Sequence, residues 1–244
     1  MKTKLFFVSG WAIGSKAINP LAECLHDQFD CVVLSAEEVL PPGALSSAIT
    51  ANRSQSTDPC VLAGWSLGGM LAIASAGSLA SGSALVLISS TARFCQTPES
   101  PYGVPMAQLR AMKLGLRRRP EATLSSFFEQ VAKPHQIDPQ AATRLAKQQI
   151  DADSRRLVDG LQYLSDADLA DAASATKAAT LVLHGRDDQV IAPQASIDLS
   201  KRIKGAQLRL CDGVGHDLPI REPEWTALSI SNFWKTHAAA THAR

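Results

Sequence analysis

The stretch Val61-Leu62-Ala63-Gly64-Trp65-Ser66-Leu67-Gly68-Gly69-Met70 constrains this chain more than any other. An apolar run enters Gly-Trp-Ser-Leu-Gly-Gly, and a small-residue segment from Met70 to Gly77 follows with helical character. Strand, sharp turn and helix in that order form the layout that holds a serine at the tip of a strained turn. Glycines around Ser66 leave room for backbone and substrate. The helix beginning after the serine aims N–H groups and a positive dipole end at the place where an oxyanion would form. A G-x-S-x-G run alone can be an ordinary turn; the strand before it and the helix after it favour a nucleophile.

The rest of the chain repeats this alternation. Leu5-Phe6-Phe7-Val8 reads as a strand covered on both faces, followed by a loop, a helix from Ser15 to His26 and a second strand, Cys31-Val32-Val33-Leu34. Pro41-Pro42-Gly43 breaks the chain before a helix near Leu45 to Asn52. Cys60-Val61-Leu62-Ala63 is the third strand and Ala84-Leu85-Val86-Leu87-Ile88 the fourth. Strands and helices at this spacing predict an α/β fold, with a mostly parallel, doubly wound sheet and right-handed crossovers.

From Arg93 to Ala172 no strand run occurs, and four helices are expected: Pro105 to Leu116, Pro120 to Ala132, Pro139 to Ile150 and Ser154 to Ser165. The prolines stand at helix starts, where the missing N–H has no partner to lose. The sheet resumes at Thr180-Leu181-Val182-Leu183-His184-Gly185. A helix from Pro193 to Ile203, a last strand, Ala206 to Leu210, and a closing helix, Glu224 to His237, complete the chain. The tail after Lys235 is expected to fray. Residues 1–92 and 173–244 thus form a core, and 93–172 a helical lid inserted in it.

At 244 residues, 45% apolar, the chain can bury a core without staples. Its 24 basic and 23 acidic residues give no global reason to expect nucleic acid or a membrane as partner. Five scattered cysteines, none in a C-x-x-C pair, indicate neither a disulfide framework nor a zinc site. The apolar run after Met1-Lys2-Thr3-Lys4 ends at Ser9-Gly10-Trp11 after four residues, too few for a leader's core of at least about seven. No H-E-x-x-H, Walker loop or dinucleotide glycine motif occurs, so neither metal nor organic cofactor is expected. A cytoplasmic monomer completes the expectation.

A serine nucleophile needs a histidine base and an acid to orient it, in the chain order Ser, Asp or Glu, His. His216, in Gly213-Val214-Gly215-His216-Asp217 directly after the last strand, is placed at the sheet's carboxyl edge. His184 lies at a strand end and reads as structural, His26 and His135 as solvated, and His237 and His242 fall in the terminal helix or tail. The acid is expected in Gly185-Arg186-Asp187-Asp188, where Asp188, three after the glycine, is favoured over Asp187. Asp217 is too close in sequence to reach behind the His216 ring. For the oxyanion hole the candidates are the backbone N–H groups of Leu67 and, from the loop after the first strand, Trp11, whose side chain remains free to wall a pocket.

With these residues placed, the chain resembles the α/β-hydrolase family over essentially its whole length. Within it, the resemblance is to the pimeloyl-[acyl-carrier protein] methyl ester esterases of biotin synthesis. It is carried by Ser9-Gly10-Trp11, Gly64-Trp65-Ser66-Leu67-Gly68-Gly69, Ser89-Ser90-Thr91-Ala92-Arg93-Phe94, and Gly160-Leu161-Gln162-Tyr163-Leu164 with Asp168-Leu169. It implies a serine carboxylesterase that removes the methyl group through an acyl-enzyme on Ser66, with His216 as base and Asp188 as its orienting acid. Trp11, Trp65 and Phe127, or Phe128 in place of the last, would line the acyl channel. An acyl carrier protein is the implied partner. Six basic residues against one acidic residue, Glu99, between Arg93 and Arg119 suit an acidic carrier, with Arg110, Lys113, Arg117, Arg118 and Arg119 as docking candidates. A solubilising helix face is the competing reading of those arginines. A general short-chain esterase, a carbon–carbon bond hydrolase and a non-enzymatic binder are the alternative functions. Ser9-Gly10 replaces the family's usual His-Gly, and Leu34-Ser35-Ala36-Glu37-Glu38 lacks its Asp-x-x-Gly pattern.

Overall fold

A computed structural model describes residues 2–41, 43–53, 55 and 57–242, with side chains at all of these except 153, 154 and 240–242. Pro42 of the proline break, the final two residues and the His242 ring therefore lie outside the described parts. Six strands form one sheet: β1 (Thr3–Val8), β2 (Phe29–Leu34), β3 (Cys60–Trp65), β4 (Ala84–Ile88), β5 (Ala179–Gly185) and β6 (Gln207–Cys211). Their order is β2-β1-β3-β4-β5-β6, and every neighbouring pair is parallel. Every residue of β3 and β4 is buried, as continuous apolar runs require of central strands, whereas β2 and β6 at the edges keep half-exposed positions.

Sheet order determines where chemistry can occur. The chain leaves β1 toward β2 on one side and returns to β3 on the other, so the loops after β1 and β3 part at a topological switch point. A crevice opens there at the carboxyl ends of the strands. Val8 is in register with Gly64, which brings the loop after β1 beside the turn bearing Ser66.

Between the strands lie α1 (Asn19–Leu25), α2 (Ala36–Val39), α3 (Ala44–Ala51) and α4 (Leu67–Ser75). The helix expected from Ser15 to His26 is divided into a 3₁₀ turn, Ser15–Ile18, and α1, because Pro20 belongs in the first turn of a helix and not in its interior. The insertion between β4 and β5 contains α5 (Met106–Arg118), α6 (Pro120–Val131) and α7 (Pro139–Asp166). Where two helices were expected, α7 is one helix of 28 residues, since no proline or glycine interrupts it between Pro139 and Gly160. Asp138 caps its start by accepting from the N–H groups of Gln140 and Ala141. The short α8 (Ala170–Ser174) returns the chain to β5, and α9 (Pro193–Arg202), α10 (Leu218–Arg221) and α11 (Pro223–His242) complete it. Helix α11 continues past Lys235 to His242. Among the described residues no helix is long and apolar enough to cross a membrane.

Candidate active site

Ser66 sits between β3 and α4 with φ +57° and ψ −119°, a conformation that a residue with a side chain adopts only when its surroundings enforce it. Two glycines make the enforcement possible. A Cβ on Gly64 would lie 2.3 Å from the Gly68 carbonyl, and one on Gly68 would lie 2.3 Å from the Val8 carbonyl, so α4 can start against β1 and β3 only without side chains there. The Ser66 N–H donates to the Ile88 carbonyl, and Ser90 Oγ donates to the Ser66 carbonyl at 2.8 Å. The hydroxyl is thereby presented at the crevice.

His216 Nε2 lies 3.0 Å from Ser66 Oγ, and His216 Nδ1 lies 2.8 Å from Asp188 Oδ2. The three side chains are nearly inaccessible, at 7%, 1% and 6% for Ser66, His216 and Asp188. A carboxylate can only accept, so Nδ1 carries the hydrogen on that side and Nε2 is free to take the serine's. Asp188 Oδ1 accepts from the N–H groups of Val190 and Ile191. Burial alone would raise the Asp188 carboxyl, but the adjoining His216 and His184 rings outweigh it and hold the group well below the usual carboxylate range. Asp187 is exposed, and Asp217 bonds to Arg221, with burial raising its carboxyl. His135 is exposed but also bonds to the Gly213 carbonyl, beside the loop that carries His216.

The loop after β1 reaches the same point, since a Cβ on Gly10 would be 3.2 Å from that of Ser66. Among the described residues neither the Trp11 nor the Leu67 N–H donates to a backbone carbonyl or a side chain, which leaves both for a ligand. Ala12 is held at φ +57° and its N–H donates to Glu37 Oε1 at 2.7 Å. Ser9 Oγ donates to the Ile13 carbonyl, closing the loop from its other side. Glu37 is presented by α2, which Ser35 and Glu38 cap reciprocally. The Ser35-x-x-Glu38 signature was present in the sequence, whereas the reach of Glu37 to Ala12 was not. Burial pushes the Glu37 carboxyl up. Removing this clamp in Glu37→Ala is expected to lower kcat on a soluble ester about 10- to 100-fold with KM little changed, and Glu37→Gln, which still offers an oxygen, to recover most of it. A parental kcat in the alanine variant would show that the loop holds itself.

Over Ser66 the insertion closes a small apolar cavity of about 50 Å³, walled by Trp11, Phe94, Leu109, Met112, Phe127 and Leu161, with Gln108 and Gln130 as its uncharged polar members. The indole of Trp11 lies on Gly160 of α7, where a Cβ would come within 2.5 Å, and its Nε1 donates to the Leu157 carbonyl at 2.8 Å. Phe127 meets Trp11 edge-on, with 4.9 Å between ring centroids. Trp65 does not join this wall. It is wholly buried at the end of β3, where side chains alternate between sheet faces, and its Nε1 supports the His216 carbonyl at 2.8 Å. Phe128 is buried and also outside the lining.

A larger open groove of about 870 Å³ runs along the amino ends of β1 and β2, past Lys4, Asp30 and Arg53. Its volume exceeds that of the cavity, yet it lies at the end of the sheet away from Ser66, and Lys4 is already paired with Asp30 at 2.6 Å. The crevice at the carboxyl ends is the better site on chemical grounds. No cluster of metal-ligating side chains occurs among the described residues.

Residues 20–228, which include Ser66, Asp188 and His216, match the Alpha/beta hydrolase family. The chain belongs to the alpha/beta hydrolase family. Similar proteins include a pimeloyl-[acyl-carrier protein] methyl ester esterase from Stenotrophomonas maltophilia, 26% identical over 245 residues, covering 94% of this chain and 92% of that one. A protein of the same name from Xanthomonas campestris pv. campestris is 27% identical over 240 residues, with 94% of each chain covered. Among solved structures of this hydrolase fold, an esterase from Exiguobacterium antarcticum superposes with a TM-score of 0.80 at 19% identity, covering 96% of this chain and 93% of that one.

Proposed function

We propose that this hydrolase is a cytoplasmic serine carboxylesterase acting on the methyl ester of pimeloyl-[acyl-carrier protein], with residues 93–172 as its lid. The observation that carries the reading is the run of contacts Ser66–His216–Asp188 opening onto an uncharged apolar cavity. Ser66 Oγ attacks the ester carbonyl carbon as its hydrogen passes to His216 Nε2, and the oxyanion forms against the Trp11 and Leu67 N–H groups. The carbon–methoxy bond then breaks, and His216 returns the proton to the leaving oxygen, giving methanol. Water attacks the acyl-enzyme, loses a proton to His216 and releases the free acid, while Ser66 recovers its hydrogen.

The cavity supports the substrate class. Its wall carries no cation, so a neutral methyl ester enters at less cost than the corresponding carboxylate, and the product is the form that the wall disfavours. The cavity over Ser66 is small, about 50 Å³. That small volume equally suits a short-chain esterase. Comparing kcat/KM for a carrier-bound dicarboxylate monomethyl ester with that for small activated esters separates the two readings, and complementation of a biotin-requiring strain lacking its own esterase tests the first directly.

The outer face of the lid supports a protein-bound substrate. Helix α5 carries Arg110, Lys113, Arg117 and Arg118 and no acid, with Leu114, 46% exposed, among them. Positions 110, 113, 114, 117 and 118 share one helix face. Arg93, by contrast, is paired with Asp168 and is not part of this field. Reversing Arg117, Arg118 and Arg119 to Glu is expected to lower kcat/KM for a carrier-bound ester at least about tenfold at low salt while leaving free esters within about twofold. Equal losses on both substrates would remove the docking role.

A further inference from the structure

Asp188 is shared by two imidazoles. His184, wholly buried at the end of β5, places Nε2 3.1 Å from Asp188 Oδ2 and 3.0 Å from the Ile191 carbonyl. Both oxygens only accept, so Nε2 carries a hydrogen, which is directed at the Ile191 carbonyl while the Asp188 carboxylate lies in close contact beside it. On the other side of the ring, Nδ1 lies 2.6 Å from Ser196 Oγ of α9. Ser196 Oγ also lies 2.7 Å from the Ser90 carbonyl, its one hydrogen serving either that oxygen or His184 Nδ1, and Ser90 Oγ donates to the Ser66 carbonyl at 2.8 Å. Ser90, His184 and Ser196 are all without solvent exposure. The contacts therefore close a ring that runs from Ser66 Oγ through His216, Asp188, His184, Ser196 and Ser90 back to the backbone of Ser66.

We propose that His184 is a positioning residue of the site, holding Asp188 Oδ2 in line with His216 and tying the acid through Ser196 and Ser90 to the residue that bears the nucleophile. A histidine that merely filled the core would have no reason to meet the carboxylate on the atom His216 uses. With Oδ1 held by two N–H groups and Oδ2 bonded to His216 and in contact with His184 at 3.1 Å, the carboxylate has no free rotation about its last bond. Losing one ring leaves Oδ2 with a single partner and the His216 ring with a looser support. Displacements below 1 Å matter at this distance from the reacting atoms.

The inference rests on the serine-hydrolase reading, so Ser66→Ala is assayed beside the test variants on a short p-nitrophenyl ester. His184→Leu is expected to lower kcat about 100-fold with KM within about twofold, and to abolish the low-field proton resonance of His216 Nδ1–H. His184→Gln, whose amide N–H can reach the place of Nε2, is expected to recover turnover to within about fivefold of the parent and to restore the resonance. Ser196→Ala keeps the imidazole and cuts the ring of contacts, with an expected loss in kcat of about tenfold, and it serves as the test if the leucine variant does not fold. Parental kcat in a folded His184→Leu, parental kcat in Ser196→Ala, or a glutamine variant no better than leucine would each overturn the positioning role. Turnover surviving in Ser66→Ala would instead overturn the serine mechanism, and this inference with it.

Discussion

Ser66→Ala is expected to lower kcat by about 10⁴- to 10⁶-fold while leaving the fold and the affinity for ester almost unchanged. The reason is local. Among the described residues Ser66 Oγ is the one hydroxyl hydrogen-bonded to His216 Nε2, at 3.0 Å. The residual rate is expected to come from the proposed oxyanion donors, the Trp11 and Leu67 N–H groups, which the substitution leaves in place. Alanine also relieves little of the strain at φ +57°, because Gly64 and Gly68 still dictate the turn, so the thermal midpoint should move by only a few degrees. Single-turnover kinetics and mass spectrometry of the acylated protein make the check. Near-parental turnover in the variant would end the serine mechanism.

Asp188→Asn is the second large effect, a fall in kcat of about 10⁴-fold. An amide oriented with its oxygen toward the Val190 and Ile191 N–H groups presents its own hydrogens to His216 Nδ1, and the ring must turn its hydrogen-bearing nitrogen elsewhere. The serine then faces the wrong tautomer. The same carboxyl also makes stability depend on pH. Its folded value lies below the unfolded value of about 3.9, so its contribution is complete above that pH and is lost as the pH falls toward the folded value. The wild type should therefore lose thermal stability below about pH 4 more steeply than the asparagine variant, as differential scanning calorimetry across pH 2 to 7 would reveal. Parallel curves would mean that Asp188 is not held low.

How much was legible beforehand follows from the range over which each feature is determined. Leu5 to Val8, Cys60 to Ala63 and Ala84 to Ile88 could be read as strands because a central parallel strand is apolar throughout, and that property belongs to the segment alone. The break between the 3₁₀ turn and α1 is equally local, at Pro20, which the single helix expected from Ser15 to His26 runs across. The continuity of α7 across residues 151–153, where two separate helices are expected, follows from the absence of any residue there that ends a helix. Trp65 was placed in the channel by position along the chain. The pleat decides otherwise, sending its indole beneath His216.

The sequence by itself determined the α/β alternation and put forward the turn at Ser66 and residues 188 and 216 as candidates, since each depends on local pattern and on glycines that permit close approach. Tertiary structure decided what those residues share: Glu37 clamping Ala12, Ser9 bonding to Ile13 where the family usually has histidine, and His184 meeting Asp188 from the far side. Such partners lie on different strands or helices, brought together by the sheet order and not by spacing along the chain. A buried polar group reveals its partner only when the surrounding packing has excluded water from every other choice.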